Sequence, residues 1–422
     1  MRLLTAVLVL TVLVESATAV GLPEAKPADL GFDPVSLDRV DAAVNRAISA
    51  KKLPGAVVLV GRRGKIALAR AYGQRKGGDS VADQPMTRDT IFDLASLTKP
   101  LATASSILVL VDQGKLRLDD RLGTLLPEFD NRGKGEITVD QLLRHRSGLI
   151  ADNPLADYAD GPQTAWERLS RIGLASMPGE RFVYSDVGYI ILGRIVERVS
   201  GKPLNEFASD NLFWALKLFD TKFRRFTWQE VVAPGATYLW LGGFPLPILV
   251  QRRYRRPIDE VADPRIAMTD GRPDCPSLRG VVHDPRARAL GGIAGHTGLF
   301  GTADDLAVLA QMFLEGGRAL DGRRILRPET VNSMISPGDT PPKQRRGLGW
   351  DIDTPYSAPR GRIFGPTSYG HTGFTGTSVW IDPQTKTFVI VLTCRVYPGS
   401  NAPSPTALRS EISTIVGESI RD

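Results

Sequence analysis

Leu37, Val40, Val44, Ala47 and Ile48 recur at the spacing of one helix face, which predicts an amphipathic helix over Pro34–Ala50. Two β-favouring apolar runs follow, Ala56–Val60 and Lys65–Ala71, and Gly61-Arg62-Arg63-Gly64 between them reads as a hairpin turn. A second such pair, Thr377–Ile381 and Thr387–Val391, flanks Asp382-Pro383 near the other end of the chain. Beyond it, Leu408, Ile412, Ile415 and Ile420 mark one side of a further helix. Helix then hairpin at one end, and hairpin then helix at the other, predict one antiparallel sheet built from both termini and flanked by helices. Between about Ser96 and Leu218 the patterns are helical. The expected class is α+β, with a mostly helical region between the two halves of the sheet.

Two segments stand apart from that plan. At the start, Arg2, the apolar core Leu3–Val14 and Ala17-Thr18-Ala19 read as a secretory signal over residues 1–19 with an A-x-A cleavage site. The apolar run of about 12 residues is shorter than the ~20 a spanning helix needs, so a cleaved signal is expected over an uncleaved anchor. No cysteine follows it, which excludes lipoprotein processing. The expected product begins near Val20 and is exported, periplasmic or secreted. Residues 226–263 look like an insertion: they hold Trp228, Trp240, the apolar stretch Tyr238–Val250 and the run Arg252-Arg253-Tyr254-Arg255-Arg256. Pro245 and Pro247 break any long helix there. The segment reads either as a loop packed on the domain or as a surface-seeking flap for a membrane interface or a hydrophobic substrate rim.

Composition narrows the field. The 422 residues are 42% apolar and 23% charged, which is globular usage and excludes a disordered, collagen-like or coiled-coil chain. A formal charge of +7 without a basic stripe gives no argument for nucleic acid. Cys275 and Cys394 are far apart and form neither a zinc ribbon nor a disulfide framework, and whether they pair is left open. The four histidines lack metal-ligand spacing. No cofactor or metal is expected, and monomer is the default.

The chemistry must then come from side chains. No Gly-x-Ser-x-Gly, Walker loop, dinucleotide fingerprint or His-Glu-x-x-His occurs. What remains is Ser96-Leu97-Thr98-Lys99, at the start of the apolar, small-residue run Leu101–Val111. On a helix the two polar side chains share a face. A lysine whose pKa is lowered by burial can take the serine proton and make it a nucleophile. A capping serine beside a surface lysine is the bland alternative. Tyr184-Ser185-Asp186 precedes the apolar helix pattern Val187–Val199, and beside an ammonium such a tyrosine can act as a general base. The third segment, Tyr369-Gly370-His371-Thr372-Gly373-Phe374-Thr375-Gly376, leads into the run Thr377–Ile381, and its glycines mark a place of close backbone approach.

Ser96-x-x-Lys99, Tyr184-x-Asp186 and His371-Thr372-Gly373, in that order, resemble the serine β-lactamase and penicillin-binding protein superfamily. The nearest branch is that of class C β-lactamases, D-alanyl-D-alanine carboxypeptidases and family VIII esterases. Supporting stretches are Leu142–Leu149 and Gly292–Phe300, and the resemblance spans about residues 30–420 without the 226–263 segment. It implies a β-lactamase/transpeptidase-like fold, Ser96 as the acylated nucleophile, Lys99 as base or proton relay, and Tyr184 as the proton shuttle. It also implies an oxyanion hole of the Ser96 and Phe374 backbone N–H groups, with Asp186, His371, Thr372 and Gly373 as substrate-binding residues. Of the two His-Thr-Gly triplets, the one at 371 takes the strand role. His296-Thr297-Gly298 leads instead into a helix start with Thr302 as cap, so His296 is expected to brace the cleft.

Two positions depart from the family pattern. The second motif usually ends in Asn, and a carboxylate at Asp186 cannot donate to a substrate amide. His371 stands where β-lactamases carry lysine, and a neutral imidazole attracts a substrate carboxylate less. Both lower the case for efficient β-lactam hydrolysis and are gentler on a neutral ester, which needs only the nucleophile, the proton relay and the oxyanion hole. The expected activity is an exported serine hydrolase of small-molecule or peptidoglycan-type esters or amides. The alternatives are a D-alanyl-D-alanine carboxypeptidase, a weak β-lactamase, or a non-catalytic binding protein on this fold.

Overall fold

A computed structural model describes residues 21–76, 84–241, 244–259, 263–268, 278–338, 340–397 and 403–421, with backbone alone for 227–259. The expected signal with its cleavage site, and Cys275 with its pairing, lie outside the described residues. Cys394 is buried, and burial pushes its thiol up to about 12.

Among the described residues the main sheet has eight strands, and every pairing in it is antiparallel. Their order across the sheet is Gln84–Pro85, Lys65–Lys76, Gly55–Arg62, Thr387–Thr393, Ser378–Asp382, Tyr369–Thr372, Asp351–Asp353 and Arg345–Arg346. The two termini meet at its centre, where Ala56 pairs with Thr393 and Arg62 with Thr387. This is the α+β arrangement expected from the two hairpins. The first hairpin turns on Arg63 and Gly64 alone, with φ of 52° and 79°. Positive φ at both positions fits the twist of a two-residue hairpin, so the turn is tighter than the four residues from Gly61 to Gly64.

Strand periodicity explains the layers. Alternate side chains of a strand face opposite ways. Ala56, Val58 and Val60 therefore enter one core with Val40, Val44, Ile412 and Ile415 from helices at the two chain ends. Val57 and Leu59 enter the other core, with Leu101, Ile107, Leu306 and Leu309 of the helical region. The expected first helix occurs as two pieces, Pro34–Leu37 and Arg39–Ser49. The helix Ala303–Leu314 starts at Thr302, whose side chain accepts the Asp305 N–H, as its cap position predicts.

Two features were not legible as such. A small sheet of Phe92–Asp93, Leu299–Gly301 and Lys222–Phe223 holds the approach to Ser96 against the His296 segment. Within the 226–263 segment, Phe226–Leu241 pairs antiparallel with Phe244–Asp259. The side chains of 227–259 are not described, so the choice between packed loop and membrane or substrate flap falls outside the described residues. No helix among the described residues is long and apolar enough to cross a membrane.

Candidate active site

Ser96 is presented by an unusual stretch of backbone. Ala95 just before it has φ of 47°, a left-handed conformation that an L-residue adopts at a cost of roughly 1–2 kcal/mol. Three contacts hold it there. The Ala95 N–H donates to Asp93 Oδ1 at 2.9 Å, Thr98 Oγ1 donates to the Ala95 carbonyl at 2.7 Å, and Thr375 Oγ1 donates to the Asp93 carbonyl at 2.7 Å. The chain then makes a 3-10 turn over Ala95–Leu97, a π-helical turn over Lys99–Ala104, and α-helix from Ser105 to Asp112. A regular helix was expected here. The shared face survives the irregularity: Lys99 Nζ donates to Ser96 Oγ at 2.9 Å.

Lys99 is fully buried. Besides Ser96, its ammonium touches the His296 carbonyl at 3.0 Å and Asp186 Oδ1 at 2.6 Å, and lies 4.9 Å from the centre of the Tyr184 ring. Burial by itself pushes the Lys99 pKa down, which was the sequence-level expectation. The negative charge of Asp186, followed by Tyr184, outweighs it and leaves the pKa raised. Lys99 is therefore a retained cation, and the expectation of a lowered pKa is corrected by its carboxylate partner. His296 braces the lysine through its carbonyl, while its Nε2 meets Asp284 at 3.1 Å. Burial pushes Asp284 up, but His296 and the Ala287 N–H hold it well below the ordinary range.

The helix Asp186–Ser200 places the second motif. Ser185 is its cap, accepting the Gly188 N–H at 3.0 Å and donating to the Ile150 carbonyl at 2.6 Å. The Ser185 N–H in turn donates to His145 Nδ1 at 2.9 Å. Tyr184 and Asp186, on either side of the cap, are thus turned toward Lys99. The Tyr184 ring packs 4.5 Å from His145 and 6.0 Å from His371, with the Arg346 guanidinium 5.6 Å from its centre. Burial first, then the charges of Arg346 and Lys99, keep His145 and His371 well below the usual histidine range, so both are neutral. His371 Nδ1 donates to the Thr372 carbonyl at 2.9 Å, which makes Nε2 the unprotonated nitrogen.

The third motif takes its expected strand role and leads into the expected following strand: Tyr369–Thr372 is itself a strand, and Gly373 to Thr377 turn back into Ser378–Asp382. Gly373 is required by proximity. A Cβ there would lie 2.2 Å from Thr377 Oγ1 and 2.5 Å from the Leu94 carbonyl. The turn therefore packs directly on the segment carrying Ser96. Phe374 projects from it, 54% exposed, with its ring stacked 5.5 Å from His283. Neither the Ser96 N–H nor the Phe374 N–H donates within the described residues.

All of the expected positions gather on one open cleft of about 560 Å³: Ser96, Tyr184, Asp186, His371, Thr372, Gly373 and Phe374 line it, with Lys99 behind Ser96. Sequence reading did not single out four residues that shape it. Asp93 fixes Ala95, and burial pushes its carboxyl up to about 6. His145 seats the Ser185 N–H, Arg346 lies over Tyr184, and Arg409 reaches the Gly373 carbonyl at 3.1 Å. His145 stood inside the noted stretch Leu142–Leu149 and Asp93 lies three residues before Ser96, but single polar residues carry no spacing signal. Among the described residues no group of three or more His, Cys, Asp or Glu is gathered as for a metal.

Comparison with known proteins gives a consistent picture. The family model described as Beta-lactamase matches residues 40–413. The chain is 31% identical over 409 residues to a protein of Escherichia coli K12 described as "Putative D-alanyl-D-alanine carboxypeptidase", covering 92% of this chain and 87% of that one. It is 33% identical over 389 residues to an N-acetylmuramyl-L-alanine amidase of Bacillus subtilis 168, covering 86% and 81%. Among solved structures, a family VIII carboxylesterase shares the fold with a TM-score of 0.64 at 21% identity, over 90% of this chain and 97% of that one.

Proposed function

The chain belongs to the Beta-lactamase family of serine hydrolases, and from that premise we propose that it hydrolyses an ester or amide through an acyl-enzyme on Ser96. The observation that carries this reading is the contact of Lys99 Nζ with Ser96 Oγ at 2.9 Å, on the wall of the cleft. An ammonium donating to Oγ leaves the serine proton free to move to another base. In its phenolate form the Tyr184 oxygen takes that role, with the Lys99 cation 4.9 Å from the centre of its ring to balance the charge. Oγ attacks the substrate carbonyl carbon as its proton passes to Tyr184. The N–H groups of Ser96 and Phe374 receive the oxyanion, each donor being worth roughly 10²–10³ in rate. The bond to the leaving group then breaks and Tyr184 returns the proton to it. In the second half water attacks the acyl carbon, giving a proton to Tyr184, and the ester bond to Oγ breaks as Ser96 is reprotonated.

The test is turnover of a chromogenic short-chain ester by the unaltered protein and by Ser96→Ala, with a fluorophosphonate adduct mapped to Ser96. Turnover by the alanine variant, or a label elsewhere, overturns the reading.

The two curated relatives favour a narrower version in which the substrate is a cell-wall amide and the protein works outside the cytoplasm. Release of D-alanine from a D-Ala-D-Ala peptide, or cleavage of a muramyl-L-alanine amide, measured beside p-nitrophenyl esters and a cephalosporin, separates it from an esterase or β-lactamase.

A further inference from the structure

Two arginines grip the peptide units on either side of the Phe374 α-carbon. Arg409, on the C-terminal helix Thr406–Ser419, donates from Nη2 to the Gly373 carbonyl at 3.1 Å. Arg395 donates from Nε to the Phe374 carbonyl at 2.6 Å, and its guanidinium lies 4.4 Å from the centre of the Phe374 ring. The Gly373 carbonyl and the Phe374 N–H are the two ends of one peptide unit. A cation on the oxygen of an amide draws density from its nitrogen, so the N–H at the far end becomes a stronger donor.

The surroundings keep that effect undiluted. Arg409 is only 3% exposed, so water screens little of its charge. Among the described residues no carboxylate pairs with it, and its Nε has no hydrogen-bond partner. Burial, with Arg395 alongside, pulls its pKa to about 9, which still leaves it charged at neutral pH. Burying a guanidinium without an anion is costly. The fold places that charge against the carbonyl of the peptide unit whose N–H belongs to Phe374, a residue lining the cleft.

We propose that Arg409 is a positioning residue that polarises the Gly373–Phe374 peptide, so that the Phe374 N–H stabilises the oxyanion more strongly than an ordinary amide would. Arg395 fixes the next peptide unit and holds Phe374 in place. The inference rests on the proposed acyl-enzyme on Ser96, with the Phe374 N–H as an oxyanion donor.

The experiment compares Arg409→Met and Arg409→Gln with the unaltered enzyme in single-turnover acylation by p-nitrophenyl acetate and in inhibition by phenylboronic acid. The boronic acid forms a tetrahedral adduct on a serine and so reports on the oxyanion site. Arg409→Met should acylate roughly tenfold more slowly, with the half-saturating ester concentration changed less than twofold and the boronic acid Ki raised by a similar factor. Arg409→Gln keeps a hydrogen-bond donor and removes the charge, so it should lose nearly as much, and it carries the comparison if the methionine variant does not melt cooperatively. An acylation rate within twofold in Arg409→Gln overturns the proposal, as does an unchanged boronic acid Ki. So does weaker ester binding with the rate intact, which would make Arg409 a substrate-binding group. Failure of the underlying reading looks different: Ser96 would then stay unlabelled by a fluorophosphonate in the unaltered protein.

Discussion

Lys99 Nζ lies 2.6 Å from Asp186 Oδ1, and this contact reverses what burial alone would do to the lysine. The pair makes Asp186 a keeper of the Lys99 charge, where the family's usual Asn would be neutral. In Asp186→Asn the desolvation of Lys99 is opposed by less, so its pKa falls. If the ammonium form is the working one, activity is then lost at lower pH on the alkaline side. The kcat/KM profile should show its alkaline limb moved down in pH and its acid limb in place. Movement of the acid limb would instead make neutral Lys99 the base.

Gly373→Ala should damage activity through geometry. The new methyl would sit 2.2 Å from Thr377 Oγ1 and 2.5 Å from the Leu94 carbonyl, so the turn must move off the Ser96 segment. Overpacking of this kind costs about 1–3 kcal/mol. Ester turnover should fall at least roughly tenfold, because the displaced group is the Phe374 N–H. Urea unfolding and steady-state rates measured together check both.

Ser185→Ala removes a helix cap and the peg to the Ile150 carbonyl at once. A loss of about 1–2 kcal/mol in stability is expected. Tyr184 and Asp186 flank this residue, so kcat should drop as well. Ser185→Thr, which can cap, should recover most of both, and a variant equal to the parent in kcat would show that the cap does not position the site.

Asp305 gives a stability signature away from the chemistry. Burial raises its pKa to about 6 from 3.8, although it accepts from Thr221 Oγ1 at 2.8 Å. A carboxyl raised in the folded state holds its proton more tightly there than in the unfolded chain. Its contribution is therefore complete below about pH 4 and is lost as the pH rises through 6. Two units at about 1.4 kcal/mol each make the swing on the order of 3 kcal/mol. Denaturant midpoints from pH 4 to 7 should fall less steeply in Asp305→Asn than in the parent. Asp93, raised likewise to about 6, adds to the same slope.

The elements that sequence reading placed well are those where a period and a turn agree. Val57 and Val58 alternate between two cores because a strand has period two, and Ser185 and Thr302 cap helices because their oxygens replace missing backbone partners. The ordered motifs found Ser96, Lys99, Tyr184 and His371, all of which meet at one cleft. What escaped was set by tertiary contact. Nothing local shows that Asp186 outweighs the burial of Lys99, since the two are brought together by separate helices. Arg409 sits one residue after the buried Leu408 and reads as a solvent-facing helix position, yet it is buried against Gly373. Ala95 carries no hint of its left-handed φ, because Asp93, Thr98 and Thr375 impose it from three directions.

The meeting of the two chain ends at the middle of the sheet also sets a timetable. Val57 finds Leu392 and Ser96 finds the turn at Phe374 only after nearly the whole polypeptide is present. Pairings so distant in sequence pay their loop-closure entropy before any contact rewards it, and such topologies fold slowly. A chain arrested anywhere short of its last strands would carry the serine and its lysine without the backbone that completes their cleft. On the proposed reading, Ser96 therefore lacks its complete cleft until those last strands have been made.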